Sequence, residues 1–597
     1  MLRTLAALAL SCLCLTGCFF SDPQKRLQDL EKAEKERDLN LRIVSDVADF
    51  GNDGPLKVHG VGLVVGLAGT GHSPEGEWRK LMEQFLLKNL GPRDGQMENI
   101  PKEQNVRQIL DNPNNCLVIV TGYVPPGARK VDRFDLDIEL PYGSKATSLV
   151  GGRLLHCHLR VWEALSRISA DPKNQGSRQM LGGHVFADGK GPLVVAFGGH
   201  ADVNELKRGK VWQGGASRIA RPYQLMMRND EKSHRIANDV AQRLNFMYQD
   251  DPRAKKLHAD FSSDENRLLL EGLVADQFNK THDPSGMGTN EAAKAMSKEM
   301  INVRVPFTYR FNHERFLIVS SFTPIYNNDP NMPRYRQRLQ KMLTDPIDAI
   351  QAAMRIEAMG RDIGIPMLKT GLESNHPYVR FVSAEALAYL GSTAGVEALA
   401  HAAREHPVFI KHATLALANL SESICRDRLA ELTLSDQHAV RFAAFHALSL
   451  IDERDSRLGA VNVGGTEWIH RIPNAPDAVI AFTTSRRPQV VLFGKGIVVS
   501  PDTRLMLGAF TVVPGERNGE MFVKRYSTRG EERRVSSNRV DEILTSMIEL
   551  QAGYPDLVEF LRKASDHRLL SCPITTWNLP ETSLETVIVT GRQMRAG

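Results

Sequence analysis

A run of β-branched residues broken by five glycines constrains this chain more than any other feature of its sequence. Between Gly60 and Gly71 the sequence reads GVGLVVGLAGTG, so five of these twelve residues have no side chain. Valine favours strands, and glycine inside a strand marks a bend or a place where another backbone segment comes close. The run therefore predicts extended chain that packs tightly against neighbouring backbone.

Two phosphate-binding motifs resemble this run without matching it. Gly66 and Gly71 have the spacing of a phosphate loop, but His72 and Ser73 stand where lysine followed by serine or threonine is needed. The dinucleotide-binding fingerprint also fails, because Val65 occupies the position of its next glycine. These departures argue against nucleotide binding, and we expect no cofactor.

Three further motifs follow the run in order, each typical of strands that end in tight turns. They are CLVIVTGYVPPGAR at 116–129, VDRFDLDI at 131–138 and SLVGGRLL at 148–155. In the second motif, Asp135 and Asp137 alternate with apolar residues and Glu139 continues the pattern, which predicts a strand with one face in solvent. Apolar residues at helical spacing predict a helix between Ser233 and Tyr248. The body is therefore expected to be α+β.

In this order and spacing, the motifs resemble those of the bacterial flagellar P-ring protein family. The residues that carry the resemblance are Gly60, Gly62, Gly66, Gly69, Thr70, Gly71, Pro125, Pro126, Arg129, Gly151 and Gly152. One position departs, since His72 stands where the family has an acid.

The resemblance implies a structural subunit that self-associates into a periplasmic ring of the flagellar basal body. That ring would be a bushing around the distal rod, beside the peptidoglycan and the L ring. No catalytic residue and no metal are implied, so we do not expect an enzyme. Basic residues at 207–228 could face the rod or a wall polymer, although such side chains are more often solvated.

The N-terminus predicts export and lipidation. Arg3 precedes an almost wholly apolar stretch at residues 4–15, which is too short to span a bilayer but fits a secretory signal. The sequence LTGC at 15–18 resembles the cleavage box of bacterial lipoproteins. We therefore expect cleavage after residue 17 and a lipid on Cys18 that holds the chain to the inner or outer membrane. In the alternative, an ordinary signal peptide, this cysteine would be incidental.

Charge and cysteine content exclude some classes of protein. The chain has 75 Lys+Arg and 70 Asp+Glu, and its net charge of +5 gives no case for a nucleic-acid partner. The four cysteines that would remain after processing, Cys116, Cys157, Cys425 and Cys572, are too few for a disulfide framework, although isolated pairs stay possible. Within HCH at 156–158, a strand would place both histidines on one face and the thiol on the other. The three residues are therefore not expected to coordinate one metal ion together.

The pattern changes in the second half of the chain. Between 345 and 450 the dipeptides Met359-Gly360, Leu390-Gly391, Leu420-Ser421 and Ile451-Asp452 recur about every 30 residues, which is typical of an α-solenoid. These units resemble HEAT-like repeats, whose groove would bind an unknown protein partner; an irregular helical domain is the alternative. Beyond residue 457, residues 489–501 are expected to form a strand, a glycine turn and a second strand, and residues 505–513 a third strand. Helices are expected around Val540 and from Pro555.

We divide the chain into five segments on this basis. They are a signal peptide at 1–17, the lipidated Cys18 with a charged tether at 18–42, a P-ring-like α+β region at 43–330, HEAT-like repeats at 331–456, and C-terminal P-ring-like strands with a helical hairpin at 457–597. The region 43–330 could hold two subdomains with a boundary near 155–190. The helical repeats would then be an insertion into a P-ring fold. A second functional interpretation is a membrane-tethered periplasmic scaffold or binding lipoprotein that reuses this fold without building a ring.

Overall fold

The fold mixes strands and helices throughout, which confirms the α+β class. The computed structural model describes residues 41–594 except 90–104, 131, 165–179, 196–203, 249–290, 327, 421, 453, 464–465, 484–487, 508–509, 528–529 and 577–582. The predicted signal peptide, Cys18 and nearly all of the tether lie outside the described residues. Within them, no helix has the length and apolar character needed to cross a membrane.

Six antiparallel strands close into a barrel. After the short helix α1 (Val44–Val47) and strand β1 (Ala48–Gly51), the chain forms β2 (Leu56–Val65), β3 (Cys116–Val124), β4 (Arg133–Glu139), β5 (Arg153–Ala164), β6 (Met180–Pro192), β7 (Val194–Val195) and β8 (Arg208–Ser217). The order is β4-β3-β2-β5-β6-β8, with β7 beside β8, and a further pairing of β4 with β8 closes the barrel. Alternate side chains such as Val118, Leu136 and Leu159 fill its interior.

Two helices pack on the outside of the barrel. They are α2 (Glu77–Asn89) and α3 (Val106–Asp111). Met82 and Leu86 of α2 and Ile109 of α3 form a small apolar cluster with Leu63 of β2 and Leu117 of β3. One face of β2–β3 is therefore covered by helices, while the other faces the barrel interior.

A second, four-stranded sheet follows the barrel. Its order is β1-β9-β11-β10, with β9 (Tyr223–Met227), β10 (Ala293–Ala295) and β11 (Met300–Val303). The helices α4 (His234–Tyr248) and α5 (His313–Ser321) share a core with this sheet, and α4 confirms the helix expected in that interval. A subdomain boundary was expected near residues 155–190. The strands β5 and β6, which lie largely in that interval, are paired neighbours in the barrel wall.

Eight helices form a two-layer stack after the second sheet. They are α6 (Met332–Leu343), α7 (Ala349–Glu357), α8 (Arg361–Leu372), α9 (Pro377–Tyr389), α10 (Val396–Glu405), α11 (Ile410–Asn419), α12 (Ser423–Leu432) and α13 (His438–Ile451). In one layer α7, α9, α11 and α13 each contact the next, and α8, α10 and α12 pack beside them. Gly360 and Gly391, two of the residues that mark the period, have φ of +94° and +73°. This pairing is what a period of about 30 residues predicts, and the HEAT-like assignment stays a prediction.

Strands return in the C-terminal part, around two sheets and a pair of helices. One sheet has the order β12-β13-β15-β14-β20, with β12 (Ala460–Val463), β13 (Thr466–Ile472), β14 (Val479–Phe482), β15 (Val490–Phe493) and β20 (Ile574–Thr576). The other is a meander of β16 (Leu505–Leu507), β17 (Phe510–Pro514), β18 (Glu520–Ser527) and β19 (Gly530–Ser537). The helices α14 (Val540–Glu549) and α15 (Tyr554–Asp566) confirm the expected pair. A last helix, α16 (Leu584–Gln593), returns to the helical stack, where Val587 is buried.

Two strand predictions in this part were wrong in detail. The expected strand at 505–513 is two strands, because the chain reverses and Leu505 pairs with Val512. Because apolar residues continue through the reversal, the sequence pattern does not reveal where the chain turns. The expected second strand after Gly494 forms only single bridges, Val498 to Arg539 and Val499 to Leu570.

Candidate functional site

The first signature glycines lie where barrel strands come closest together. A Cβ atom on Gly60 of β2 would lie 2.2 Å from the carbonyl oxygen of His158, and one on Gly62 would lie 2.7 Å from side-chain carbons of Leu154 and Val120. Both distances are shorter than Cβ atoms tolerate, so a side chain at Gly60 would displace the backbone of β5 and one at Gly62 would displace neighbouring side chains. The predicted close backbone approach is confirmed at Gly60, whereas at Gly62 the close neighbours are side chains.

The end of the glycine run forms a loop that is tied to the segment before β5. Gly66 and Gly69 have φ of +84° and +76°, in the left-handed region that favours glycine. The hydroxyl of Thr70 donates a 2.7 Å hydrogen bond to the carbonyl of Ser148, and the amide of Thr147 donates a 3.0 Å bond to the carbonyl of Thr70. Thr70 therefore joins two loops that are far apart in sequence.

The remaining signature glycines complete this contact. A Cβ atom on Gly71 would lie 2.1 Å from the carbonyl oxygen of Asn115, and one on Gly152 would lie 2.4 Å from the Val64 side chain. Gly151 has φ of +76°. The loops after β2 and before β5 thus interlock at one end of the barrel, through positions where a side chain would not fit.

The proline signature forms the junction between the barrel and the second sheet. Pro125 and Pro126 follow β3, and Gly127 turns the chain with φ of +73°. A Cβ atom on Gly127 would lie 2.6 Å from the ring of Tyr223 and 3.0 Å from that of His313. Because Tyr223 is on β9 and His313 begins α5, this turn sits directly against the second sheet and its helix.

Arg129 fastens the same junction. Its guanidinium donates a 3.0 Å hydrogen bond to the carbonyl of Val305, and its backbone amide donates a 2.7 Å bond to the carboxylate of Asp132. Burial lowers the pKa of Arg129 and raises that of Asp132. The signature residues therefore position two sheets relative to each other, which is a structural task.

The acidic face of β4 and several basic residues pair with each other. Lys210 of β8 lies 3.4 Å from Asp137, and Arg208 lies 3.5 Å from Glu139, across the strands that close the barrel. Asp135 accepts a 2.8 Å hydrogen bond from the backbone amide of Gln213. These charged side chains are largely exposed, as expected of a solvated strand face.

One cluster of possible metal ligands lies on the barrel surface. His156 and His158 of β5 project to the same side, while Cys157 between them is fully buried, which confirms the predicted alternation. Asp188 of β6 approaches both histidines, and Arg218 contacts the same carboxylate. The sequence did not single out Asp188, because nothing in it gives the register of β5 against β6.

All four described cysteines are buried free thiols. Cys116, Cys157, Cys425 and Cys572 form no disulfide among themselves. Burial raises the pKa of the Cys572 thiol to about 11, and it also raises those of Cys116 and Cys157. Such thiols are poor nucleophiles at neutral pH.

The barrel-and-sheet region and the helical stack meet at a buried ionic cluster, which we call the Arg315 cluster. The guanidinium of Arg315 on α5 lies 2.7 Å from the carboxylate of Glu357 on α7 and 2.8 Å from that of Glu385 on α9. Tyr309 donates a 2.6 Å hydrogen bond to Glu357, and His412 of α11 lies 3.6 Å from Glu385. The three charged side chains are at most 3% exposed.

The two carboxyls of the Arg315 cluster respond to burial differently. Burial raises the pKa of Glu357, despite the attraction of Arg315. Burial also opposes ionisation of Glu385, but Arg315 and His412 outweigh it and lower the pKa of that carboxyl. The sequence did not reveal this cluster, since isolated charges on helices usually indicate a solvent face.

Comparison with known proteins finds a similarity for part of the chain. Residues 43–320 match the model of the family described as flagellar P-ring protein. The flagellar P-ring proteins of Anaeromyxobacter dehalogenans strain 2CP-C and Anaeromyxobacter sp. strain K are each 31% identical to this chain over 153 residues. That alignment covers 26% of the chain and 33% of either relative, so the chain spans about a third of the length of the curated relatives it matches.

The matched range contains the barrel, the second sheet and α5, together with every signature position from Gly60 to Gly152. It ends within α5, beside the first helix of the stack. Residues 43–320 of this chain are therefore similar to the flagellar P-ring protein family.

Proposed function

We propose that the chain is a structural subunit of the flagellar basal-body P ring and serves as a periplasmic bushing around the distal rod. The family match over residues 43–320 carries this proposal. The interlocked glycines and the Pro125–Arg129 junction support it, because they build a rigid two-sheet body. A ring needs subunit contacts whose rotation closes, together with a body that keeps its shape under load. Neither requires a catalytic side chain, so we infer a non-enzymatic role.

We further propose that a lipid on Cys18 tethers the subunit to a membrane from the periplasmic side. The support is the LTGC sequence at 15–18, after an apolar stretch of signal length. Replacement Cys18→Ser should abolish incorporation of labelled fatty acid and release the protein from the membrane fraction. Retention of both in the variant would contradict the proposal, and Cys572→Ser serves as a control at a distant thiol.

The neighbours proposed for the ring are other copies of the chain, the rod, the peptidoglycan and the L ring. For the helical stack we propose an additional protein partner. Its support is the two-layer arrangement of α7–α13, in which successive helices pack side by side as in repeat proteins that bind partners. The Arg315 cluster would hold that surface in a fixed position relative to the barrel.

Isolated basal bodies provide the test. We expect the protein, carrying an internal label, to copurify with hook–basal bodies and to appear by electron microscopy as a ring at the level of the peptidoglycan. A deletion strain should lose that ring and its motility. Normal motility and intact basal bodies in the deletion strain would overturn the proposal and favour a scaffold lipoprotein that does not build a ring.

A further inference from the structure

We propose that His156, His158 and Asp188 bind a divalent transition-metal ion of the zinc class on the surface of the barrel. Imidazole nitrogen and carboxylate oxygen are ligands that zinc accepts, and three protein ligands with an open position for water form a common set. This site is independent of the proposed role in a ring.

The geometry of the three side chains supports the proposal. Nε2 of His156 lies 3.2 Å from Oδ1 of Asp188, and Nδ1 of His158 lies 2.9 Å from that same oxygen. Ligand atoms around a tetrahedral zinc ion are about 3.3 Å apart, given bonds of about 2.0 to 2.1 Å. These two distances are close to the spacing that one ion would impose, and all three ligand atoms lie within 4.8 Å of one another.

The surroundings hold these ligands in place. His158 and Asp188 are paired residues of β5 and β6, so their backbones are fixed by the barrel. Arg218 donates a 2.6 Å hydrogen bond to Oδ2 of Asp188 and leaves Oδ1 directed at the histidines. Phe85 of α2 packs against both imidazoles, with ring centroids 6.3 Å from His156 and 5.1 Å from His158. Oriented ligands with an outer partner are typical of metal sites.

The experiment is a titration of the untagged, chelator-treated full chain with Zn²⁺, followed by Co²⁺ as a spectroscopic probe. We expect one equivalent to bind, a rise in melting temperature, and visible absorption bands from Co²⁺ in a site of low coordination number. His156→Ala and Asp188→Asn should each weaken binding by about tenfold or more. His184→Ala is the matched control, because His184 is an exposed histidine on the same strand as Asp188.

Each result of the titration either supports or contradicts the metal site. One-equivalent binding that is retained in His184→Ala and lost in the two ligand variants supports the site. No binding by the unaltered chain overturns it, as does binding that His156→Ala and Asp188→Asn leave unchanged. Circular dichroism of each variant checks the fold, and His156→Ala removes a partly exposed side chain, so it tests the proposal even if Asp188→Asn destabilises the barrel.

Discussion

The strands of the barrel are held close by one kind of contact, and the helical stack is attached to the rest of the molecule by another. In the barrel, Gly60 and Gly71 lie directly against neighbouring backbone, and Gly62 lies against neighbouring side chains, so these tight contacts involve no side chain on the glycine itself. The stack is fixed to the rest of the molecule by long charged side chains, with Arg315 between Glu357 and Glu385. The contacts in the barrel require residues without a side chain, whereas the attachment of the stack requires charged side chains.

The ion pairs of the Arg315 cluster join the helical stack to the region that matches the P-ring family. Arg315 belongs to the matched range, whereas both carboxylates belong to the stack. Both regions also contribute to one continuous apolar core, so removing either would expose buried apolar surface of the other and break the buried ion pairs between them. The two regions are therefore expected to unfold together, in one cooperative transition.

The largest expected effect comes from breaking the Arg315 cluster. Arg315→Met should lower the free energy of unfolding by about 3–5 kcal/mol, because it leaves two buried carboxylates without their shared cation. Chemical denaturation of the full chain measures this loss. Arg428→Met is the matched control, since Arg428 pairs with Glu397 and Glu431 at the surface. If both variants have the same midpoint, the ionic cluster does not hold the stack in place.

The contact of the stack with the C-terminal sheet should respond to acid. His470 of β13 is 1% exposed, its ring centroid lies 5.0 Å from that of Phe445 on α13, and burial lowers its pKa to about 4. Below its ordinary pKa of about 6.5, the unfolded chain binds a proton that the folded chain refuses. Stability should therefore fall by about 3 kcal/mol as the pH drops from about 6.5 to about 4.

Unfolding measured at several pH values between 7 and 4 tests this dependence. His470→Gln should flatten the acid limb, while His438→Gln, at an exposed position at the start of α13, should keep it. An unchanged acid limb in His470→Gln would show that other groups cause the loss of stability.

A smaller effect is expected where the barrel depends on a missing side chain. Gly60→Ala places a Cβ atom 2.2 Å from the carbonyl oxygen of His158. Overpacking of this kind costs about 1–3 kcal/mol, because β2 or β5 must shift. Thermal unfolding compares this variant with Gly54→Ala, whose added Cβ meets nothing within 4 Å. Equal melting temperatures for the two variants would show that the barrel does not depend on the close contact at Gly60.

The smallest effect is expected from a neutral hydrogen bond beside the Arg315 cluster. The hydroxyl of Tyr389 on α9 accepts a 3.0 Å bond from the Asn312 amide, and Asn312 also caps α5. Tyr389→Phe should cost about 1 kcal/mol, as for an ordinary hydrogen bond. Tyr326→Phe, which loses a bond to Asp239 at the surface, is the control for denaturation. A loss as large as that of Arg315→Met would mean that charge is not what distinguishes this contact.

Local patterns predicted strands β2 to β5 and the close contact at Gly60, but not the closure of the strands into a barrel. A glycine such as Gly60 within a β-branched run has a local meaning, and so has the alternation of Asp135 and Asp137 in β4. The repeating helices were also visible as a period. Each of these features depends on residues that are close in sequence.

The rest depends on contacts between distant residues. Asp188 meets the two histidines only through the pairing of β5 with β6, whose register contains irregularities that the sequence does not show. Glu357 and Glu385 resemble solvent-facing helix charges until Arg315 arrives from a different region. The reversal that separates β16 from β17 is hidden because apolar residues continue on both sides of it.

The pairing of β4 with β8 leaves the barrel without a free strand edge among its six members. Exposed edges invite neighbouring chains to add strands, which leads to aggregation when identical copies are crowded. In the proposed ring, the copies would stand side by side at very high local concentration. A closed barrel could tolerate that crowding, because neighbours would meet through side-chain surfaces and could not exchange or extend its sheet.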